Sequence, residues 1–208
     1  MEAALFDLDG TLINTEPRSL ALWRMLLENH DIPHDEDLLR RFMGRRSSDV
    51  LPELFPDADS EALIAEVRSY YDRPGLPDIL PVPGAADLVR RVVETGSPVA
   101  LVTSAHRSWA LDRLEEVGVA HLVQTIVTAE DVAVGKPDPA GFLTAADRLG
   151  VEPVRCVAFE DSLAGIAAAR AAGMTCVGVA TTHHPDELSH ADLVIADLSG
   201  IDWPLTEI

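Results

Sequence analysis

The sequence predicts an α/β fold: a doubly wound parallel sheet covered by helices on both faces, with a small α-helical insertion near its start. Three observations carry this. From Gly84 onward, short apolar runs without polar alternation recur between amphipathic stretches, as expected of strands buried on both faces. A run of the same kind, Ala3-Ala4-Leu5-Phe6, opens the chain. Between the two, residues 15 to 80 follow only the 3.6-residue apolar period of helices.

Each element follows from local chemistry. The opening strand breaks at Gly10. Thr15 is a candidate cap for a helix with Leu20, Trp23, Leu26 and Leu27 on one stripe. Asp35 opens a second helix with Leu38, Leu39, Phe42 and Met43, which Gly44 ends. Ser47 begins a third, carrying Val50, Leu51, Leu54 and Phe55. Ser60 begins a fourth, carrying Leu63, Ile64, Val67, Tyr70 and Tyr71. The block closes at Pro74-Gly75-Leu76-Pro77, with Pro81-Val82-Pro83-Gly84 beyond it. Strands are then expected at 99–102, 125–127, 156–159, 176–179 and 193–195, and helices near 85–94, 108–117, 140–149 and 163–172. The expected division is an α/β core of residues 1–14 and 81–208 and a helical block of residues 15–80.

Composition bounds the function. A chain of 208 residues, 47% of them apolar, buries about 70% of its unfolded surface, enough for one substantial domain with an appendage. The net charge of −19 argues against nucleic acid, whose phosphates demand a basic surface. No stretch approaches the roughly 18 uninterrupted apolar residues of a membrane span. Glu2 and Asp7 with no basic flank do not read as a targeting segment. A cytoplasmic monomer, without membrane or nucleic-acid partners, is the expectation. Cys156 and Cys176 lie in apolar runs with no second Cys at ligand spacing, and read as buried thiols.

The chemistry-bearing residues fall at strand ends, where ligands of such sheets bind. Asp7 and Asp9 arrive together as the first strand turns. Two ionised carboxylates so close repel, and each is costly to desolvate, so the pair asks for a metal, a proton, or both. Thr103-Ser104 ends the second strand of the core ahead of a helix; it suits an anion, though such a pair by itself is more often a plain N-cap. Lys136 is the only lysine beside fifteen arginines, within Gly135-Lys136-Pro137-Asp138-Pro139. Its compact ammonium can contact a phosphate oxygen and a carboxylate together, where the planar Arg fork is too broad. Glu160-Asp161 ends the fourth core strand. With Asp7 and Asp9 these acids bring four carboxylates to one edge, an all-oxygen donor set that suits hard Mg2+ rather than zinc.

Asp7-Leu8-Asp9-Gly10-Thr11, Thr103, Lys136 and Glu160-Asp161 resemble, in order, the four motifs of the haloacid dehalogenase superfamily of phosphotransferases. Phe159-Glu160-Asp161-Ser162-Leu163-Ala164-Gly165-Ile166 is similar to its β-phosphoglucomutase-like branch, and the helical block resembles the small cap inserted after the first strand. The resemblance implies that Asp7 attacks phosphorus and that Asp9 protonates the leaving alkoxide and later takes a proton from water. It implies Mg2+ held by Asp7, the Asp9 backbone carbonyl, Glu160 and Asp161. Thr103, Ser104 and Lys136 would hold the phosphoryl group.

Within that family, Asp9 argues against a dehalogenase, which has no alkoxide to protonate, and a cap without lysine removes a Schiff-base phosphonatase. Mutases of the branch carry a histidine on the first cap helix, where this chain has Ser19, and a cap lysine that is missing here. The expected function is therefore hydrolysis of a small phosphate monoester, a sugar phosphate first, with a sugar-phosphate mutase as the alternative. A catalytically silent binding protein is disfavoured because all four motifs are present. Arg45 and Arg46 read either as contacts to the far end of a substrate or as a solvated pair at a helix end. Trp23 and Phe42 are expected to pack the cap interior, and His106 to lie at the surface. His183-His184 has no carboxylate cluster beside it in sequence and is not taken as a metal site.

Overall fold

The computed structural model describes residues 1–205. The end of the segment assigned above as 81–208 therefore lies outside the described residues. A six-stranded parallel sheet runs in the order β5-β4-β1-β6-β7-β8. Its strands are β1 (Ala3–Phe6), β4 (Val99–Val102), β5 (Thr125–Val127), β6 (Cys156–Glu160), β7 (Thr175–Val179) and β8 (Leu193–Ile195). Successive side chains of a strand point to opposite faces. Accordingly Ala4 and Phe6 join Leu88, Val89, Ala110 and Leu114 of α5 (Ala85–Glu94) and α6 (Arg107–Val117) on one face. Ala3 and Leu5 join Phe142, Ala146, Ile166 and Ala169 of α7 (Ala140–Leu149) and α8 (Leu163–Ala171) on the other. The Phe6 and Phe159 rings stack between neighbouring strands with centroids 4.7 Å apart.

Four short helices occupy the early part of the chain: α1 (Glu16–Asn29), α2 (Glu36–Arg40), α3 (Ser47–Leu54) and α4 (Ser60–Tyr70). Helices this short are marginal alone. They are held by a separate apolar cluster that includes Leu22, Leu26, Leu27, Leu39, Leu51, Phe55 and Leu63, each contributing roughly 1.5–3 kcal/mol on full burial. Trp23 and Phe42 pack against each other inside this block, ring centroids 5.8 Å apart. An antiparallel ribbon of two residues per strand, β2 (Ile13–Asn14) with β3 (Leu80–Pro81), sets the two connections to the block side by side.

The local signals need two adjustments. Asp35 caps α2 as expected, accepting from Leu38 N–H at 2.8 Å, but α2 ends at Arg40, and Phe42 and Met43 lie in the turn that leads to Gly44. Ser60 begins α4 as expected, with Asp59 before it as the cap, accepting from Glu61 N–H. Thr15 stands at the cap position of α1 but makes no cap bond; its hydroxyl donates to Asp9 instead. Cys156 and Cys176 are buried free thiols. Among the described residues no helix is long and apolar enough to cross a membrane.

Candidate active site

The chain winds outward from β1 to β4 and β5, then returns to place β6 on the other side of β1. The strand order reverses at β1 and β6, which opens a crevice at their carboxyl ends. Phe6 pairs with Leu101 and with Phe159, so Asp7, Thr103 and Glu160 emerge beside one another. Lys136 arrives from the loop after β5. Gly10 and Gly165 make the close approach possible: a β-carbon on either would collide with the carboxylate of Asp161 or Glu160 respectively. Gly10 also sits at φ +89°, a conformation open to glycine.

Lys136 is the centre of charge. Its ammonium donates to Asp7 Oδ1 at 2.5 Å, to the Val102 carbonyl at 3.0 Å, and to Glu160 Oε1. All three N–H groups are thus engaged, with the side chain buried. Burial disfavours its charge, but the two carboxylates outweigh that and hold its pKa above the ordinary value. Glu160 Oε2 accepts from Ser162 Oγ at 3.0 Å, and that same Ser162 oxygen accepts from Gly165 N–H at the start of α8.

Asp161 is held by hydroxyls on both oxygens, Thr11 on Oδ1 at 3.3 Å and Thr182 on Oδ2, while His183 donates Nδ1–H to its backbone carbonyl. Burial, and then the charge of Glu160, push its pKa up to about 7. Asp7 is also driven well above the usual carboxylate range, first by burial, against which Lys136 works. Oxygens of Asp7, Glu160 and Asp161 lie within 4.8 Å of one another, all buried. One ammonium cannot neutralise three carboxylates, and an all-oxygen donor set fits a hard divalent cation.

Asp9 stands apart from this ion-paired group. Its Oδ1 accepts from Thr15 Oγ1 at 2.8 Å and from the indole Nε1–H of Trp109 at 3.1 Å. Burial raises its pKa, and these two bonds oppose the rise. Glu16, first residue of α1, is buried with Oε2 unpartnered; burial and then the charges of Asp161, Asp9, Asp7 and Glu160 push its pKa well up. Thr103 is buried, its Oγ1 accepting from Ala105 N–H at 3.0 Å, which leaves the hydroxyl proton available. Ser104 Oγ donates to the Gly44 carbonyl at 2.8 Å and so ties the sheet edge to the helical block.

The two block arginines separate. Arg45 turns to Glu53 with a forked pair of bonds at 3.1 and 2.5 Å. Arg46 is buried, donates to the Val132 and Ala133 carbonyls at 3.0 and 3.4 Å, and lines a small cavity with Thr103, Ser104 and Lys136. His106 lies at the surface, 3.0 Å from Glu130.

Several site residues went unassigned in the sequence. Thr11 was inside the first motif, and Thr182 follows β7, where the strand-end rule points. Glu16 is an acid four residues before Leu20, the first apolar position of the α1 stripe. Trp109 gave no signal, because its partner lies a hundred residues away.

A parallel sheet whose switch point joins two acids, a buried lysine and an acidic pair defines a class of carboxylate-based hydrolases. This chain belongs to the haloacid dehalogenase-like hydrolase family, whose profile matches residues 4–179. It is 40% identical over 206 residues to a validoxylamine A 7'-phosphate phosphatase of Streptomyces hygroscopicus subsp. limoneus, covering 98% of this chain and 97% of that one. It is 31% identical over 217 residues to a β-phosphoglucomutase of Bacillus subtilis, covering 99% and 93%. Among solved structures, a hydrolase from Pseudomonas syringae superposes with a TM-score of 0.84 at 28% identity, covering 95% of this chain and 94% of that one.

Proposed function

We propose that the chain is a Mg2+-dependent phosphatase of a small phosphate monoester, a phosphorylated sugar or polyol, acting through an aspartyl-phosphate on Asp7. The observation that carries this is the contrast between two neighbouring acids. Asp7 is ion-paired with Lys136, while Asp9 is bonded to two neutral donors, the Thr15 hydroxyl and the Trp109 indole. The first environment suits a nucleophile that must be ionised; the second suits an acid that must carry a proton.

Asp7 Oδ attacks phosphorus as the ester P–O bond breaks, and Asp9 gives its proton to the departing alkoxide. Water then attacks the phosphoryl group, Asp9 takes a proton from it, and the Asp7–phosphorus bond breaks. Lys136, Thr103 and the Ser104 backbone N–H would hold the phosphoryl oxygens; Lys136 must release one of its present acceptors to do so. Asp7, Asp161 and the Asp9 carbonyl, with Glu160 behind them, would hold Mg2+, which when bound supplies positive charge against the carboxylates and the phosphoryl oxygens. Residues 15–80 would act as a cap over a core of residues 1–14 and 81–208, excluding bulk water during attack.

Transfer to water rather than to a second sugar is supported by Ser19 at the position of the mutase histidine and by the absence of lysine from residues 15–80. The test is phosphate release from a panel of phosphorylated sugars and polyols with and without Mg2+, with β-glucose 1-phosphate and its bisphosphate activator included. Mg2+-dependent release is expected. Isomerisation of glucose 1-phosphate without release would assign the mutase, and no turnover of any ester would return the chain to a binding role.

A further inference from the structure

We propose that Trp109 is a positioning residue for Asp9: its indole N–H, with the Thr15 hydroxyl, occupies Oδ1 and leaves Oδ2 to carry the proton that meets the leaving group. The inference rests on the phosphatase reading above and deepens it. An indole nitrogen donates and never accepts, so Oδ1 must act as an acceptor toward it. The Thr15 hydroxyl donates to the same atom, at 2.8 Å against 3.1 Å for the indole. With both donors on one oxygen, a proton on Oδ1 would face N–H and O–H groups, and only Oδ2 accommodates it.

The indole is itself fixed. Trp109 is half-buried in the first turn of α6, and the Arg113 guanidinium lies over its ring, 4.4 Å from the centroid. Tyr71, just after α4, meets the same ring edge-on at 5.6 Å with an interplanar angle of 85°. Arg18 of α1 lies over Tyr71 in turn, 5.3 Å from its centroid. A continuous stack thus runs from the helical block to the side chain that orients Asp9.

The leaving group separates positioning of an acid from mere support of the fold. p-Nitrophenolate departs without a proton, whereas the alkoxide of p-nitrobenzyl phosphate, a substrate of nearly the same size, requires one. kcat/KM reports the step that breaks the ester bond, so the benzyl-to-phenyl ratio of kcat/KM measures delivery of the Asp9 proton. Trp109→Phe keeps the ring against Tyr71 and Arg113 and removes the N–H. General acid catalysis is worth about 10²–10⁴-fold, and loss of alignment is expected to lower the ratio by roughly 10-fold. Asp9→Asn, measured alongside, should lower it further.

An unchanged ratio in Trp109→Phe overturns the proposal, whether both substrates slow together or neither does. So does a rise, which would mean that the indole restrains Asp9 away from the substrate. If Asp9→Asn also leaves the ratio unchanged, or the wild-type chain turns over neither ester, the failure lies in the acid assignment or the phosphatase reading, and the proposal falls with it.

Discussion

The sheet edge and the helical block are built on opposite plans. At the edge, Asp7, Glu160 and Asp161 stand on or directly after strands, and nearly every carboxylate oxygen has a partner supplied by the loops that follow the strands. The block has its own apolar core and meets the rest of the chain at a few points: Gly44 on Ser104, Arg46 on the carbonyls before Lys136, Tyr71 on Trp109. Carboxylates that must stay within a few ångströms of one another need a backbone that cannot slide, and a six-stranded ladder gives that. The proposed lid role needs contacts that separate without loss of the block's own fold, and a separate apolar core with a two-residue ribbon suits it.

That contrast is breakable, first at the edge. Asp7→Asn should lower turnover by at least about 10⁴-fold while circular dichroism stays unchanged, because the nucleophile is lost and the scaffold is not. Comparable turnover in the variant would remove Asp7 from that role. Lys136→Met leaves Asp7 and Glu160 buried without their cation, and urea unfolding should register a loss of about 3–5 kcal/mol. A neutral result would mean that water reaches the pair.

The block should respond differently. Leu26→Ala empties a fully buried position and should cost about 2–5 kcal/mol. Hydrogen exchange sharpens the comparison: amides of α1–α4 should lose protection while β1, β4 and β6 keep theirs. Uniform loss across both regions would show one cooperative unit.

Proton linkage gives a comparable effect at the edge. In the cation-free protein Asp161 keeps its proton up to about 7, whereas in the unfolded chain it releases it near the ordinary value of about 4. Between those limits the unfolded state binds fewer protons, so stability falls as pH rises from about 4 to about 7 and then levels, by at most about 4 kcal/mol from this group. The difference between wild type and Asp161→Asn isolates it, and saturating Mg2+ should flatten it. A difference that rises with pH would contradict the placement. The smallest effect belongs to Arg45→Ala, whose pair with the exposed Glu53 lies at the surface and should change stability by under about 1 kcal/mol.

Much of the fold was legible in the sequence, because the apolar runs and the helical period were both clean. Continuous apolar runs gave the strands to within a residue, and the helical stripes gave α1, α3, α4 and the four helices of the sheet. The edge acids were legible because a parallel sheet delivers chemistry at its carboxyl ends. What escaped depended on packing rather than period. A ribbon of two residues per strand is too short to show alternation. Thr15 carries every mark of a cap, yet its hydroxyl is drawn to Asp9. Trp109, Tyr71 and the carbonyl partners of Arg46 meet the site only through the angle at which the block sits on α6 and the Lys136 loop.

The most direct measurement is the site of covalent phosphorylation. Wild-type protein mixed with Mg2+ and a ³²P-labelled monoester, quenched in acid within the first turnover and digested, should carry hydroxylamine-sensitive label on the peptide containing Asp7, and Asp7→Asn should carry none. Label on any other residue, or phosphate release without a labelled protein at any quench time, would contradict the account.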